Sequence, residues 1–260
     1  MRPACHHDTR RRIGRAEIDP ERCHHAPCKD AADRKIAGKA QALGFRLRQI
    51  NGRLWVKQDR KAAMTHALIV IDVQKDFCPG GALAVAQGDQ IVPGINVAMS
   101  DFDIVVLTQD WHPAGHSSFA STHGAAPMSM MDMRYGPQVL WPDHCIQGSL
   151  GAQFHPDLTV DRADLILRKG HNPAIDSYSA FFENDRNTPT GLEGYLRTRG
   201  IDRITLVGLA TDFCVAYSAL DAAKLGFDVM VRLDLCRAID FDGSLARAKA
   251  DMQAAGVVLV

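Results

Sequence analysis

The chain has 260 residues, of which 46% are hydrophobic and 23% charged, a composition typical of a globular protein. This length allows one large α/β domain or two small ones, and no apolar run reaches the roughly 18 residues that a membrane-spanning helix needs. The formal net charge is zero, so the composition of the whole chain indicates neither a nucleic-acid nor a membrane partner.

The N-terminal quarter carries most of the positive charge. Residues 1–63 contain 16 of the 30 Lys and Arg but 7 of the 30 Asp and Glu, so their net charge is +9 and that of residues 64–260 is −9. A basic excess can indicate nucleic-acid binding, but this one is confined to a segment unlike the rest, so we expect no nucleic-acid partner. We expect residues 1–63 to be a basic, disordered extension and residues 64–260 to be the folded domain, with Met64 as an alternative start.

The sequence of residues 1–63 predicts little regular secondary structure. A short helix fits residues 37–47, and a short strand fits residues 54–56. The Arg-rich N-terminus has no apolar h-region, so it does not match a secretory signal, and we expect a cytoplasmic protein with reduced cysteines. The extension also holds Cys and His residues whose spacing matches none of the usual zinc patterns: Cys5, His6, His7, Cys23, His24, His25 and Cys28.

From residue 64 onward, strand-like apolar runs alternate with helical patterns. The alternation predicts an α/β fold with one doubly wound, mostly parallel six-stranded sheet and helices on both faces. A long segment without strong periodicity, residues 111–164, is expected to be a functional loop. The predicted strands are 66–72, 103–108, 165–167, 203–207, 228–233 and 257–260, and the predicted helices are 93–99, 192–199, 215–226 and 245–255.

Three chemically active side chains lie at or just after the ends of predicted strands. Asp72 ends the first strand, Lys169 follows the third, and Cys214 lies one short turn after the fourth. In a doubly wound sheet these ends lie along one edge, so the three side chains can meet. A carboxylate whose pKa is raised by burial can accept a thiol proton, and an amine can stabilise both anions. Singly, each residue also fits an ordinary edge or core position; together they favour a Cys-Lys-Asp nucleophilic site.

The turn before the helix at 215–226 gives Cys214 a specific setting. Gly208 and Ala210 keep this turn small, and Thr211 or Asp212 can cap the helix. In the first turn of a helix, free backbone N–H groups and the helix dipole would lower the pKa of the Cys214 thiol. The same N–H groups could hold an oxyanion. The alternative is a small buried core cysteine.

A second cluster follows the second strand. Asp110 and His112 are two residues apart in an extended segment and therefore point the same way. His144, from the long loop, can supply a third ligand. One Asp and two His suit Zn, Fe(II) or Mn and leave coordination positions open. His116 is a further ligand or a partner of a bound water, and the alternative is a group of loop histidines without a metal.

Five motifs in this order resemble the isochorismatase-like cysteine hydrolases, and among them the bacterial nicotinamidases/pyrazinamidases. The resemblance runs from about residue 67 to the C-terminus and does not include residues 1–63. The motifs are Asp72-Val73-Gln74-Lys75-Asp76-Phe77, Gln109-Asp110-Trp111-His112-Pro113, Trp141-Pro142-Asp143-His144-Cys145, the strand end at Lys169, and Ala210-Thr211-Asp212-Phe213-Cys214-Val215.

This resemblance implies a metal-dependent amidase that converts nicotinamide to nicotinate and ammonia, and pyrazinamide to pyrazinoate, in NAD salvage. It implies that Asp72 is the general base, Lys169 its charge partner and Cys214 the nucleophile. It also implies a cis peptide bond between Leu209 and Ala210. The small-molecule partner would then be nicotinamide.

The remaining site residues follow from the same resemblance. Backbone N–H groups of Ala210 and Cys214 form the implied oxyanion hole. His116 is left out of the metal set because the spacing of the histidine at this point varies in the family. The implied ligands of one divalent metal ion (Zn, Fe or Mn) are Asp110, His112 and His144, and the implied aromatic pocket consists of Phe77, Trp141 and Tyr178.

Two alternative functions within the same fold class fit the sequence less well. A related amidase acting on a ureido or carbamoyl substrate would generally lack the Asp-x-His metal pair, so Asp110 and His112 argue against it. A non-catalytic ligand-binding α/β module would need a Gly-rich phosphate loop after the first strand, where residues 73–77 contain no glycine. The sequence leaves the oligomeric state open.

Overall fold

The structure, a computed structural model, describes residues 65–260 in full and, nearer the N-terminus, the backbone of two strands. The chain divides into two units, residues 1–62 and residues 63–260. Within the described part of the chain, no helix combines the length and the hydropathy that crossing a membrane requires.

In the first unit, β1 (Phe45–Ile50) pairs antiparallel with β2 (Arg53–Gln58). The predicted strand at residues 54–56 is confirmed as part of β2. The predicted helix at 37–47 is wrong at residues 45–47, which belong to β1, where apolar and charged residues alternate with the period of a strand. The rest of that helix and the Cys and His residues between 5 and 28 lie outside the described residues. Apart from this hairpin, the expected disorder of residues 1–63 stays a prediction.

The second unit is built on one parallel sheet of six strands, in the order β10-β9-β8-β3-β4-β7. All six predicted strands are present, and the predicted fold class is confirmed. The strands of this unit are β3 (Thr65–Ile71), β4 (Ile104–Asp110), β5 (Met130–Met133), β6 (Gly136–Val139), β7 (Leu165–Lys169), β8 (Ile201–Leu209), β9 (Asp228–Arg237) and β10 (Val258–Leu259), and the helices are α1 (Val92–Ala98), α2 (Leu192–Thr198), α3 (Ala216–Lys224) and α4 (Ser244–Ala254).

Both faces of the sheet are buried, as the continuous apolar sequence of β3 requires. Successive side chains of a strand point to opposite faces. Ile69 and Ile71 therefore pack in the core that contains residues of α2, α3 and α4, while Leu68 and Val70 pack in the core that contains residues of α1. Helices cover both faces, which is the arrangement that parallel strands need.

The segment 111–164 differs in part from its prediction as a loop. It contains a two-stranded antiparallel sheet, β5 with β6, which the sequence did not indicate. These strands have four residues each and are partly exposed, so they lack a buried apolar run. The rest of the segment consists of turns, bends and two short 3-10 helices, Ala120–His123 and Val160–Arg162, and it carries residues 141–144 to the edge of the main sheet.

The chain places several polar residues at one edge of this sheet. Asp72 follows β3, Asp110 ends β4, and Lys169 ends β7, so all three lie at carboxyl ends of parallel strands. Gly208 allows β8 to lie against the end of β3, because a Cβ at this position would lie 2.1 Å from the carbonyl oxygen of Ile71. The strand order therefore brings these three side chains together beside the end of β8.

Candidate active site

Asp72, Lys169 and Cys214 meet at this edge. Lys169 Nζ lies 2.8 Å from Oδ2 of Asp72 and 3.6 Å from Sγ of Cys214. It also donates a hydrogen bond of 2.7 Å to Oδ1 of Asp110 and one of 2.8 Å to the carbonyl of Ser177. The carboxylates of Asp72 and Asp110 and the sulfur of Cys214 each place an atom within 4.8 Å of the other two. The predicted Cys-Lys-Asp grouping is thus present in the geometry.

Burial controls the protonation of this group. Asp72 is 0% exposed and Cys214 7%. Burial raises the pKa of the Asp72 carboxyl despite the opposing effect of the Lys169 charge. Burial also raises the pKa of the Cys214 thiol well above its usual range, again against the effect of Lys169. Burial opposes the charge of Lys169 itself, but the carboxylates of Asp110 and Asp72 outweigh it and raise its pKa.

The expected low pKa of Cys214 is therefore wrong for this state of the site. Cys214 lies in a tight helical turn, Thr211–Val215, directly before α3. The dipole of such a turn favours a thiolate, but near-complete burial beside two carboxylates has the larger effect. A thiol with a raised pKa needs a nearby base to form a thiolate, and the Asp72 carboxylate is close enough to serve.

The turn before Cys214 has the backbone form that the resemblance implied. The peptide bond between Leu209 and Ala210 is cis. Ala210 and Cys214 both line one small cavity. Backbone N–H groups that face such a cavity are suitable donors for an oxyanion.

The cavity above Cys214 has aromatic walls. The three aromatic residues predicted for a substrate pocket, Phe77, Trp141 and Tyr178, all line it together with Phe213. The ring of Phe213 makes edge-to-face contacts with Trp141 at 4.9 Å and Tyr178 at 5.7 Å between centroids. Nε1 of Trp141 donates a hydrogen bond of 3.0 Å to the hydroxyl of Tyr178. These contacts fix an apolar slot suited to a flat ring.

Two of the predicted metal ligands, Asp110 and His144, form another wall of the same cavity, and His112 lies beside Asp110. Oδ2 of Asp110 lies 3.4 Å from Nε2 of His112 and 3.7 Å from Nε2 of His144. Ligand atoms about 2.1 Å from a tetrahedral metal ion lie about 3.4 Å apart, so these distances fit a divalent ion between them. His112 Nε2 is buried and has no hydrogen-bond partner among the described residues, as expected of a nitrogen that awaits a cation.

Backbone carbonyls orient both histidines for this role. Nδ1 of His112 lies 2.9 Å from the carbonyl of Gly170, and Nδ1 of His144 lies 2.8 Å from that of Pro142. Each Nδ1–H donates to its carbonyl, which leaves the Nε2 lone pair for a metal. Gly170 has φ +67°, and a Cβ there would lie 2.5 Å from the His112 ring. A glycine is therefore needed for both the backbone and the space.

His116 is engaged by the protein instead. Its Nε2 lies 2.8 Å from the carbonyl of Asn172, and its Nδ1 accepts a hydrogen bond of 3.1 Å from the backbone N–H of Ser118. Both ring nitrogens therefore have partners. This geometry agrees with leaving His116 outside the metal set.

Sequence reasoning missed four residues that contact these groups. Thr108 donates a hydrogen bond of 2.6 Å to Oδ1 of Asp72. Gln74 bonds both backbone groups of Asp110, at 2.7 and 2.8 Å. Thr108 and Gln74 are polar residues near strand ends, so the same edge argument could have found them. Phe213 and Asp176, which also line the cavity, had no comparable signal.

Comparisons with known proteins agree with this site. A model of the isochorismatase domain matches residues 66–260. A nicotinamidase of Acinetobacter baylyi is 56% identical over 198 residues, which cover 76% of this chain and 92% of that protein.

Solved structures give the same result. A nicotinamidase/pyrazinamidase of Acinetobacter baumanii has a TM-score of 0.75 and 55% identity, covering 77% of this chain and 97% of that one. PnC1 of L. infantum, solved with nicotinate, has a TM-score of 0.67 and 42% identity, covering 76% and 93%. A pyrazinamidase of Pyrococcus horikoshii, solved with zinc, has a TM-score of 0.61 and 36% identity, covering 75% and 98%. The chain therefore belongs to the isochorismatase family, within the part of it that contains the nicotinamidases and pyrazinamidases.

Proposed function

We propose that this protein is a cysteine amidase that hydrolyses nicotinamide to nicotinate and ammonia, and pyrazinamide to pyrazinoate, and so serves NAD salvage in the cytoplasm. One observation carries the proposal: Lys169 Nζ contacts both Asp72 and Cys214, and Cys214 lines an aromatic cavity together with Asp110 and His144, two of the three proposed metal ligands. Relatives that are 56% and 46% identical to this chain are nicotinamidases.

Asp110, His112 and His144 hold one divalent metal ion, with zinc, iron and manganese as the candidates. When bound, such an ion supplies a partner for the lone pair of a pyridine nitrogen. The faces of the pyridine ring are apolar and pack against Phe77, Trp141, Tyr178 and Phe213. This arrangement presents the carboxamide of the ring to Cys214.

The first half of the reaction uses the protonation states set by burial. Asp72 accepts the thiol proton of Cys214, and Lys169 stabilises the negative charge on both side chains. The thiolate attacks the amide carbon, and the backbone N–H groups of Ala210 and Cys214 bind the oxyanion. Losing one such donor typically costs about 3 kcal/mol in other acyl-transfer enzymes.

The second half restores the enzyme. Asp72 returns its proton to the leaving nitrogen, so ammonia departs and a thioester remains on Cys214. A water molecule then attacks the thioester while Asp72 accepts a proton from it. The C–S bond breaks, nicotinate leaves, and the proton returns to the Cys214 sulfur.

The test is ammonia release from nicotinamide by the purified full-length chain. We expect ammonia and nicotinate in equal amounts, loss of turnover on treatment with a chelator, and recovery when the metal is restored. A parallel assay with a carbamoyl amide tests the related amidase. Turnover of that compound, with none of nicotinamide by the metal-loaded protein, would contradict the proposal.

A further inference from the structure

Asp176 is a buried carboxylate in the cavity wall that the proposed reaction does not use. It is 2% exposed and lines the cavity with Asp110, His144 and Cys214. Its Oδ1 accepts a hydrogen bond of 2.7 Å from the backbone N–H of Ser177, and its Oδ2 accepts one of 3.1 Å from Nε2 of Gln138. Among the described residues, no Lys or Arg makes an ion pair with it. A buried carboxylate without a cation is costly, so its charge needs an explanation.

The nearest ionisable nitrogen is on a proposed metal ligand. Asp176 Oδ1 lies 4.0 Å from His112 Nε2, the buried nitrogen that has no hydrogen-bond partner. This distance is too long for a hydrogen bond, and a neutral His112 ring that donates its Nδ1–H to the carbonyl of Gly170 has a lone pair at Nε2. Asp176 therefore faces the same space as that lone pair.

The charges of the site balance when a divalent ion is added. Three carboxylates, Asp72, Asp110 and Asp176, are each at most 4% exposed, and the buried ammonium of Lys169 contacts the first two of them. Their sum is −2, which one divalent cation neutralises. The close group formed by Asp110, His112 and His144 does not include Asp176, which forms a second close group with His112 and His116. Both ring nitrogens of His116 have protein partners, so we place Asp176 outside the direct ligands.

We infer that Asp176 is a positioning residue of the metal site: its carboxylate accepts a hydrogen bond from a water molecule that completes the coordination of the ion held by Asp110, His112 and His144. The inference rests on the metal site of the proposed function. Such outer partners orient the coordination shell, and removing one typically lowers metal affinity 10- to 100-fold.

The test compares zinc affinity in metal-free full-length proteins, by competition with a chromogenic chelator. Asp176→Asn keeps the size of the side chain and removes its charge. Glu183→Gln is the matched control, because Glu183 is also a buried carboxylate (6% exposed) but bonds Asn172 and does not line the cavity. We expect Asp176→Asn to weaken zinc binding at least fivefold and Glu183→Gln to change it less than twofold.

A loss of less than fivefold in a folded Asp176→Asn protein overturns the inference. Circular dichroism of the metal-free protein establishes folding, and Asp176→Ser, judged by the same threshold, replaces Asp176→Asn if the latter does not fold. One outcome contradicts this inference alone: the wild-type protein binds zinc and hydrolyses nicotinamide, and Asp176→Asn binds zinc equally well. Wild-type protein that binds no zinc contradicts the metal site of the proposed function as well.

Discussion

The amino group of Lys169 lies 3.6 Å from the sulfur of Cys214, and both groups are almost completely buried. The same amino group contacts the carboxylates of Asp72 and Asp110, so one lysine connects the proposed nucleophile, its proposed base and a proposed metal ligand. The proton on the sulfur can therefore move to Asp72 without leaving a negative charge unpaired. In the proposed mechanism, a thiol with a raised pKa can therefore form a thiolate by transferring its proton to Asp72.

Replacing the nucleophile should separate chemistry from folding. We expect Cys214→Ala to lower kcat for nicotinamide at least about 10³-fold, because no other described thiol lines the cavity. Metal content and Tm should stay close to those of the wild type. Cys236→Ala, at a buried cysteine of β9, is the control and should keep its activity. Substantial turnover by Cys214→Ala would remove Cys214 from the mechanism.

The charge of Lys169 should be visible in the reactivity of the thiol. Burial raises the pKa of Cys214, and Lys169 acts in the opposite direction. Lys169→Met should therefore raise that pKa further and move the iodoacetamide alkylation profile to higher pH. The measurement uses chelator-treated protein, so that no bound cation contributes. Lys224→Met, which removes an exposed charge from the far end of α3, should leave the profile unchanged. Coincident profiles for wild type and Lys169→Met would contradict the assigned role.

Thr108 should set the acid limb of the pH–rate profile. The proposed base, Asp72, must be ionised to accept a proton, so kcat/KM should fall as the pH drops through the pKa of Asp72. Burial raises that pKa, and the hydrogen bond from Thr108 lowers it by stabilising the carboxylate. Thr108→Val removes this bond, so the acid limb should move to higher pH. Thr205→Val, at a buried threonine that contacts His66, should not move it. A shift to lower pH with Thr108→Val would refute the assignment.

Loss of one proposed ligand should remove the metal. We expect His144→Ala to lose metal and activity together, because two protein ligands remain of three. Metal is measured by mass spectrometry of the purified protein. His155→Ala, at a histidine that lies outside the ligand group, should keep both. Full metal content in His144→Ala would exclude His144 as a ligand.

Replacing Gly170 should lower metal affinity, because a side chain there would contact the His112 ring, and should also strain the backbone. Gly170→Ala places a Cβ 2.5 Å from the His112 ring at φ +67°, so the ring must move and metal affinity should fall about tenfold. Gly200→Ala has a similar φ, +71°, and no atom within 4 Å of the new Cβ. Both variants should lose about 1 kcal/mol of stability from the left-handed backbone. Equal metal affinities in the two variants would show that the His112 contact is unimportant.

The sequence by itself determined the α/β class, the six strands and the placing of Asp72, Lys169 and Cys214 at strand ends. These follow from local patterns, since a buried strand must be apolar and a parallel sheet needs alternating helices. Residues that follow the strands of a parallel sheet lie together at its carboxyl edge. The predicted metal and pocket residues were likewise found beside Cys214, although their roles stay predictions.

Only the tertiary structure decided the properties that depend on residues far apart in the chain. The raised pKa of Cys214 results from burial beside Asp72, which outweighs the local effect of a helix start. The engagement of His116 by Asn172 and the position of Asp176 in the cavity arise in loops without periodicity. Burial and pairing are sums over neighbours that the fold assembles, and no local pattern of residues encodes them.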